Sequence, residues 1–461
     1  FQAEDGIRDV ERSRGLGDVY KRQAIKHYRK AIELGTTSTN VADQIGNFHF
    51  RRGEYNEAVE FLQTGADANP DSADLNTKAG IAFYHTEQYK LAVVYLLRSL
   101  EVAPKSVDSL FYLAQSYMAQ GQLIETVIEA FQRVIAISPD HLEANKELGR
   151  LFETQSRYVS AIEHYGKANQ LSPTDIDLLL SLGKLYRSVS KFELALVMFQ
   201  NALNLEPLRA EIYLLMGEVY YYRSDMAKAT SAYRKAIESN PNFTDAHLNL
   251  GNVLRDLGKL KEAEISTRKA IELNPNYAIA YANLGIILRD LGKLKEAETC
   301  TRKAIKLNPN FINAYSNLGI ILRDLGKLTE AEISYLKAIE LKPDFPDSYS
   351  NYGVILKDLG KFKEAETYTR KAIELKPDFP DAYSNLGNIL RELGKLKEAE
   401  ISYRKAIELK PDYAEAHSNL GNILRDLGNL QEAELSYRKA IELKPDFANA
   451  NIKNTKKYTE Q

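Results

Sequence analysis

Asparagine recurs at one spacing through the second half of the chain: Asn249, Asn283, Asn317, Asn351, Asn385 and Asn419 stand 34 residues apart. A carboxamide carries both a donor and an acceptor. A row of them can pair with the N–H and C=O groups of an extended peptide without reading its side chains. Six residues after each comes a cation (Arg255, Arg289, Arg323, Lys357, Arg391, Arg425), and directly after it an acid (Asp256, Asp290, Asp324, Asp358, Glu392, Asp426). Two accounts of the pattern stand side by side. In one, the six asparagines, with Arg255, Arg289, Arg323, Arg391 and Arg425, are a row that binds an extended peptide. Alternatively, recent duplication copied surface residues without a role, and the Arg–Asp pairs are a solvated face with local charge compensation. The position before each asparagine has drifted through Leu248, Ala282, Ser316, Ser350, Ser384 and Ser418, while the asparagines have not.

Other chemistry is sparse. Seven histidines are scattered with no pair at metal-ligand spacing, and Cys300 is the sole cysteine, so neither a disulfide framework nor a Cys-rich zinc site is available. No Gly-rich phosphate loop, paired-acid constellation or nucleophile–base motif is present. Lysine and arginine number 61 against 63 acids, a formal charge of −2. The stretch 244–277 balances five basic against five acidic residues. No basic stripe builds up, which argues against nucleic-acid binding. No apolar run is long enough to cross a bilayer as a helix.

The elements that must position the asparagines follow from the same period. In 244–277, His247, Leu250, Gly251 and Leu254 lie at i, i+3, i+4 and i+7, one face of a helix. Gly258 suits a left-handed C-cap. Leu260, Ala263, Thr267, Ala270 and Ile271 form a second stripe, and Pro275 stands beyond its end. Gly251, Ala263 and Ala270 are small where two helices must approach closely. His247 and His417 fill the aromatic slot held elsewhere by Tyr281, Tyr315, Tyr349 and Tyr383, so packing is their expected role.

Asn-Leu-Gly or Asn-Tyr-Gly, then Ala, a second large residue, Ala and Pro at fixed offsets resemble the tetratricopeptide repeat (TPR). Weaker copies extend back through Gly217, Gly183, Gly149, Gly80 and Gly46. The resemblance gives twelve repeats from Thr39 to Phe447: six divergent ones over 39–243 and six near-identical ones over 244–447. The repeat at 107–141 is one residue long, with Ala114 in the glycine slot and the extra residue expected near Thr126–Val127. The resemblance implies an all-α, right-handed superhelical solenoid whose first helices line a concave groove for peptides or partner helices. The asparagine row is similar to the ladder in the TPR superhelix of O-GlcNAc transferases, where it holds substrate peptide. The earlier repeats carry Gln44, Lys78, Tyr112, Glu147, Ser181 and Leu215 in that slot. The clamp by which some family members grip acidic chaperone tails is not expected, because the fifth position is never Lys in the uniform repeats.

Residues 1–23 share none of this. Gln2–Asp9 (QAEDGIRD) and Ser13–Gln23 (SRGLGDVYKRQ) resemble translated sequencing adapters, with Val10–Arg12 in the barcode position. The natural sequence is then expected to enter at Ala24, with 24–38 an orphan second helix. Residues 448–461, ending IKNTKKYTEQ, read as a polar capping helix or tail. The functional expectation is a non-catalytic scaffold that binds proteins or peptides. It has no cofactor, metal, nucleic-acid partner or membrane insertion, and its default placement is cytoplasmic. The alternative is the recognition arm of a protein-modifying enzyme of O-GlcNAc transferase type, with the catalytic part elsewhere.

Overall fold

The computed structural model describes residues 39–445. The leader 1–23, the orphan helix at 24–38 and the tail at 448–461 lie outside the described residues. Among the described residues the chain is all-α, with 24 helices following one another as pairs. The first helix of a pair has 13 residues and the second 14, as in Thr244–Asp256 and Leu260–Leu273. The described residues divide into two compact units, the first ending at Leu208 and the second beginning at Arg209.

The turn inside each pair sets this regularity. Gly258 has φ of +73°. Its N–H donates to the Arg255 carbonyl at 2.8 Å, and the Lys259 N–H reaches back to the Leu254 carbonyl at 2.8 Å. The second bond closes a Schellman-type cap on the first helix, which requires a left-handed residue. Where the sequence lacks glycine the turn keeps its shape: Glu87, Ser156, Ser190 and Ser224 sit at φ of 57–60°. The long repeat at 107–141 places its extra residue in this turn, not near Thr126–Val127. Val107–Ala119 and Ile124–Ile137 keep the standard lengths, and four residues separate them instead of three. An insertion inside the helix would rotate everything after it by about 100° and turn the buried stripe outward; the turn absorbs it at no such cost.

Packing explains the small residues. Ala263, Ala297, Ala331, Ala365 and Ala399 are fully buried. A Cβ built on Gly319 would lie 2.5 Å from Cε2 of Tyr335, and one on Gly387 2.7 Å from Cε1 of Tyr403. The tyrosine ring of the second helix therefore occupies the space that the first helix's glycine leaves open.

Within the second unit, long side chains join one second helix to the next. Glu264 accepts from Arg268 of its own helix at 2.9 Å and from Lys293 at 2.7 Å, while Arg268 also pairs with Glu296. The motif repeats at Glu298 with Arg302 and Lys327, and at Glu366 with Arg370 and Lys395. Each such exposed pair contributes roughly 0.2–0.5 kcal/mol. Leu336 breaks the series, standing where the sister helices have arginine.

Candidate groove in the second unit

Successive first helices approach one another more closely than successive second helices do. The first helices therefore line the inner side of each local turn of the array, as the repeat pattern implies. All six asparagines lie on these helices and all are half-buried.

Their carboxamides fall into two sets. Asn283 donates to Oδ1 of Asn252 at 2.9 Å, Asn385 to Oγ of Ser350 at 3.0 Å, and Asn419 to Oδ1 of Asn388 at 3.4 Å. Asn249, Asn317 and Asn351 have no side-chain hydrogen bond within the described residues, so donor and acceptor are both available to a ligand. Three residues further along each helix stand Asn252, Ile286, Ile320, Val354, Asn388 and Asn422. The middle three repeats thus set an aliphatic strip beside the asparagine row. Two concavities open over these helices. One, of about 510 Å³, lies over Asn283, Ile286 and Asn317; the other, of about 370 Å³, over Asn351, Val354 and Asn385, and Ile320 lines both.

The arginines are placed differently from a free cationic row. Arg289 reaches Asp324 of the next repeat at 2.5 Å and Arg323 reaches Asp358 at 2.6 Å; Arg255 stands 4.0 Å from Asp290. Tyr221, in the arginine slot one repeat earlier, donates to Asp256 at 2.7 Å. These bridges tie one repeat to the next along the groove edge. Arg391 and Arg425 pair instead with the adjoining acid of their own helix, Glu392 at 3.1 Å and Asp426 at 2.9 Å. The charge compensation anticipated for this face is present, and for three of the arginines it runs between repeats.

The other singled-out residues have structural placements. His247 and His417 donate Nε2–H to the carbonyls of Pro241 and Pro411, each at 3.0 Å, tying the first helix to the loop before it. Cys300 is half-buried and burial pushes its thiol up, away from the reactive thiolate. No group of three His, Cys, Asp or Glu among the described residues could hold a metal ion, and no described helix is long and apolar enough to cross a membrane.

Sequence reasoning passed over one feature of the first unit. Tyr55 stacks on His85 with ring centroids 4.1 Å apart, and Tyr112 stands 5.6 Å from His85 and 5.3 Å from Tyr84. Burial lowers the His85 imidazole's proton affinity. Tyr112 occupies the asparagine slot and Tyr84 the arginine slot of their repeats. The signal was therefore present as aromatic residues in two groove positions.

Comparison with known proteins bears on the fold. Models described as "TPR repeat" match residues 217–258, 321–360 and 387–425. Others described as "Tetratricopeptide repeat" match 244–277, 278–311 and 414–447, with further matches at 300–333, 346–379 and 368–401. Another covers 44–106 and 113–176 in the first unit. Among curated relatives, anaphase-promoting complex subunit 3 of Schizosaccharomyces pombe is 24% identical over 138 residues, 30% of this chain and 21% of that protein. RNA polymerase II-associated protein 3 of Mus musculus is 26% identical over 121 residues, 26% of this chain and 18% of that protein. Stress-induced-phosphoprotein 1 of Caenorhabditis elegans is 23% identical over 149 residues, 31% of this chain and 44% of that protein. The chain thus spans less than half the length of these relatives. A solved structure, the APC/C hetero-tetramer Cut9–Hcn1, aligns over 96% of this chain and 95% of its own at 16% identity and a TM-score of 0.48. With helix pairs of fixed length recurring through both units and family matches over most of their residues, the chain belongs to the tetratricopeptide repeat family.

Proposed function

We propose that the chain is a non-catalytic protein–protein interaction scaffold whose second unit holds an extended peptide segment along the asparagine row. The observation that carries this reading is the set of unpaired, half-buried carboxamides of Asn249, Asn317 and Asn351 beside the strip of Ile286, Ile320 and Val354. Carboxamides satisfy the peptide's backbone while the aliphatic strip takes its apolar side chains, so binding does not require one fixed sequence. The arginines at the rim contribute chiefly through their bridges, which hold the asparagine-bearing helices in register. The relatives named as a complex subunit and as a polymerase-associated protein fit a scaffold role.

The test is a panel of blocked 12-residue peptides of varied sequence, titrated by fluorescence anisotropy. Replacing Asn249, Asn317 and Asn351 together by alanine should weaken the bound peptides about tenfold or more, because each lost hydrogen bond contributes roughly 0.5–1.5 kcal/mol. The melting temperature should stay the same. Unchanged affinity would sink the proposal.

A further inference from the structure

Along the groove edge the cations are matched to acids of the next repeat until Lys357. Lys357 stands where the sister repeats have arginine, and its amine lies 3.3 Å from Asp358 of its own helix. Asp358 is already held by Arg323 at 2.6 Å, and Glu392, the acid one repeat on, is paired with Arg391 at 3.1 Å. Two cations therefore share one carboxylate at this point.

Tyr335 lines the same concavity and is only 1% exposed. Its sisters Tyr403 and Tyr437 donate their hydroxyls to Oδ1 of Asn388 and of Asn422, at 2.8 and 2.9 Å. In the Tyr335 repeat the acceptor's slot holds Ile320, so the hydroxyl has no partner among the described residues. Burial pushes this phenol well above its ordinary range, so it remains a donor. Asn388, also on the wall, has its Oδ1 occupied by Tyr403 and Asn419, which leaves its amide N–H groups as what it can offer. Asp381, the carboxylate on the wall, is engaged by the Tyr413 hydroxyl.

We infer that the concavity between Tyr335, Lys357 and Asn388 accepts a side-chain carboxylate, an Asp or Glu of the peptide lying along the asparagine row. The groups lining it include an ammonium that shares its one carboxylate with Arg323, a phenol O–H without an acceptor and an amide N–H, all donors, and an oxyanion is the ligand that satisfies them together. The cavity of about 370 Å³ has room for such a side chain. The inference rests on the groove reading and adds one acidic residue to what the groove selects.

The experiment uses the full chain and the same blocked peptides, each in matched Glu and Gln versions with the residue walked along the sequence. The wild-type protein should favour Glu at one register by about tenfold or more, the scale of a charge-assisted hydrogen bond. Tyr335→Phe and Lys357→Gln should each reduce that ratio towards one. Lys357→Arg should also reduce it, because arginine can reach Glu392 as its sisters reach their acids. Equal binding of Glu and Gln peptides, lost on mutation of the asparagines, overturns the carboxylate site and leaves the groove standing. Absence of any asparagine-dependent binding removes both. A preference that follows a free peptide C-terminus instead of Glu overturns the side-chain assignment.

Discussion

One substitution, glycine to alanine, should have three different outcomes in this protein, and the differences can be worked from three environments. Gly166 sits inside the helix Tyr158–Leu171, and a Cβ there meets nothing within 4 Å. Alanine gains about 1 kcal/mol of helix propensity with no packing cost. Gly258 also has open space, but its φ of +73° is left-handed. A side chain there costs about 1–2 kcal/mol, of which roughly 0.5–1 returns through a less flexible unfolded chain, leaving a net loss near 0.5–1. Gly319 is helical, but its Cβ would lie 2.5, 2.7 and 2.9 Å from three ring atoms of the buried Tyr335. Overpacking of that kind costs about 1–3 kcal/mol, which outweighs the propensity gain. The assay is urea denaturation of the full chain with hydrogen exchange to localise each change, because repeat arrays need not unfold as one unit. Gly166→Ala should raise protection in its repeat, Gly258→Ala lower it modestly, and Gly319→Ala lower it most. If Gly319→Ala matched Gly166→Ala in sign, the close-packing argument for the whole glycine column would fail.

Three further outcomes follow from the same geometry. Ser224→Gly relieves a left-handed serine and should stabilise its turn by about 0.5–1 kcal/mol, read as a higher urea midpoint. Tyr403→Phe strips the hydrogen bond to Asn388 and should cost about 0.5–1.5 kcal/mol, whereas Tyr335→Phe, with no internal partner to lose, should cost less; equal losses would contradict the assignment of a free hydroxyl. Lys327 and Arg302 hold the Glu298 carboxyl below the usual glutamate value of 4.5. The folded state then binds fewer protons there than the unfolded chain, so the contribution is complete above pH 4.5 and fades as pH falls below it. Acid melts of Glu298→Gln should converge with wild type below that pH and diverge above it.

Much of the fold was legible because the period of the sequence is the period of the structure. Leu250, Gly251 and Leu254 declared a buried face, and Gly258 declared the turn. What was not legible is instructive. The left-handed serines at 156, 190 and 224 carry no local signal, since the turn geometry is imposed by the cap hydrogen bonds around them. The extra residue of 107–141 was misplaced because side-chain stripes cannot locate an insertion to better than a few positions. The arginines could not be followed across the gap to the next repeat, because the partner of Arg323 is 35 residues away and no stripe joins them. Tyr335's free hydroxyl depends on Ile320 in a different helix, a pairing visible only once the two helices are set together.

Among the described residues of the second unit, the ion pairs that join repeats span a single step, such as 28 or 29 residues between second helices and 35 between first helices. Copy number is therefore a free variable of this architecture. Excising one whole period, such as 278–311, would bring Arg255 to Asp324, Arg268 to Glu330 and Lys327 to Glu264, each the same contact with a new neighbour. The length of the array, and under the proposed reading the length of peptide it holds, can be reset by recombination alone, without inventing a single new interface.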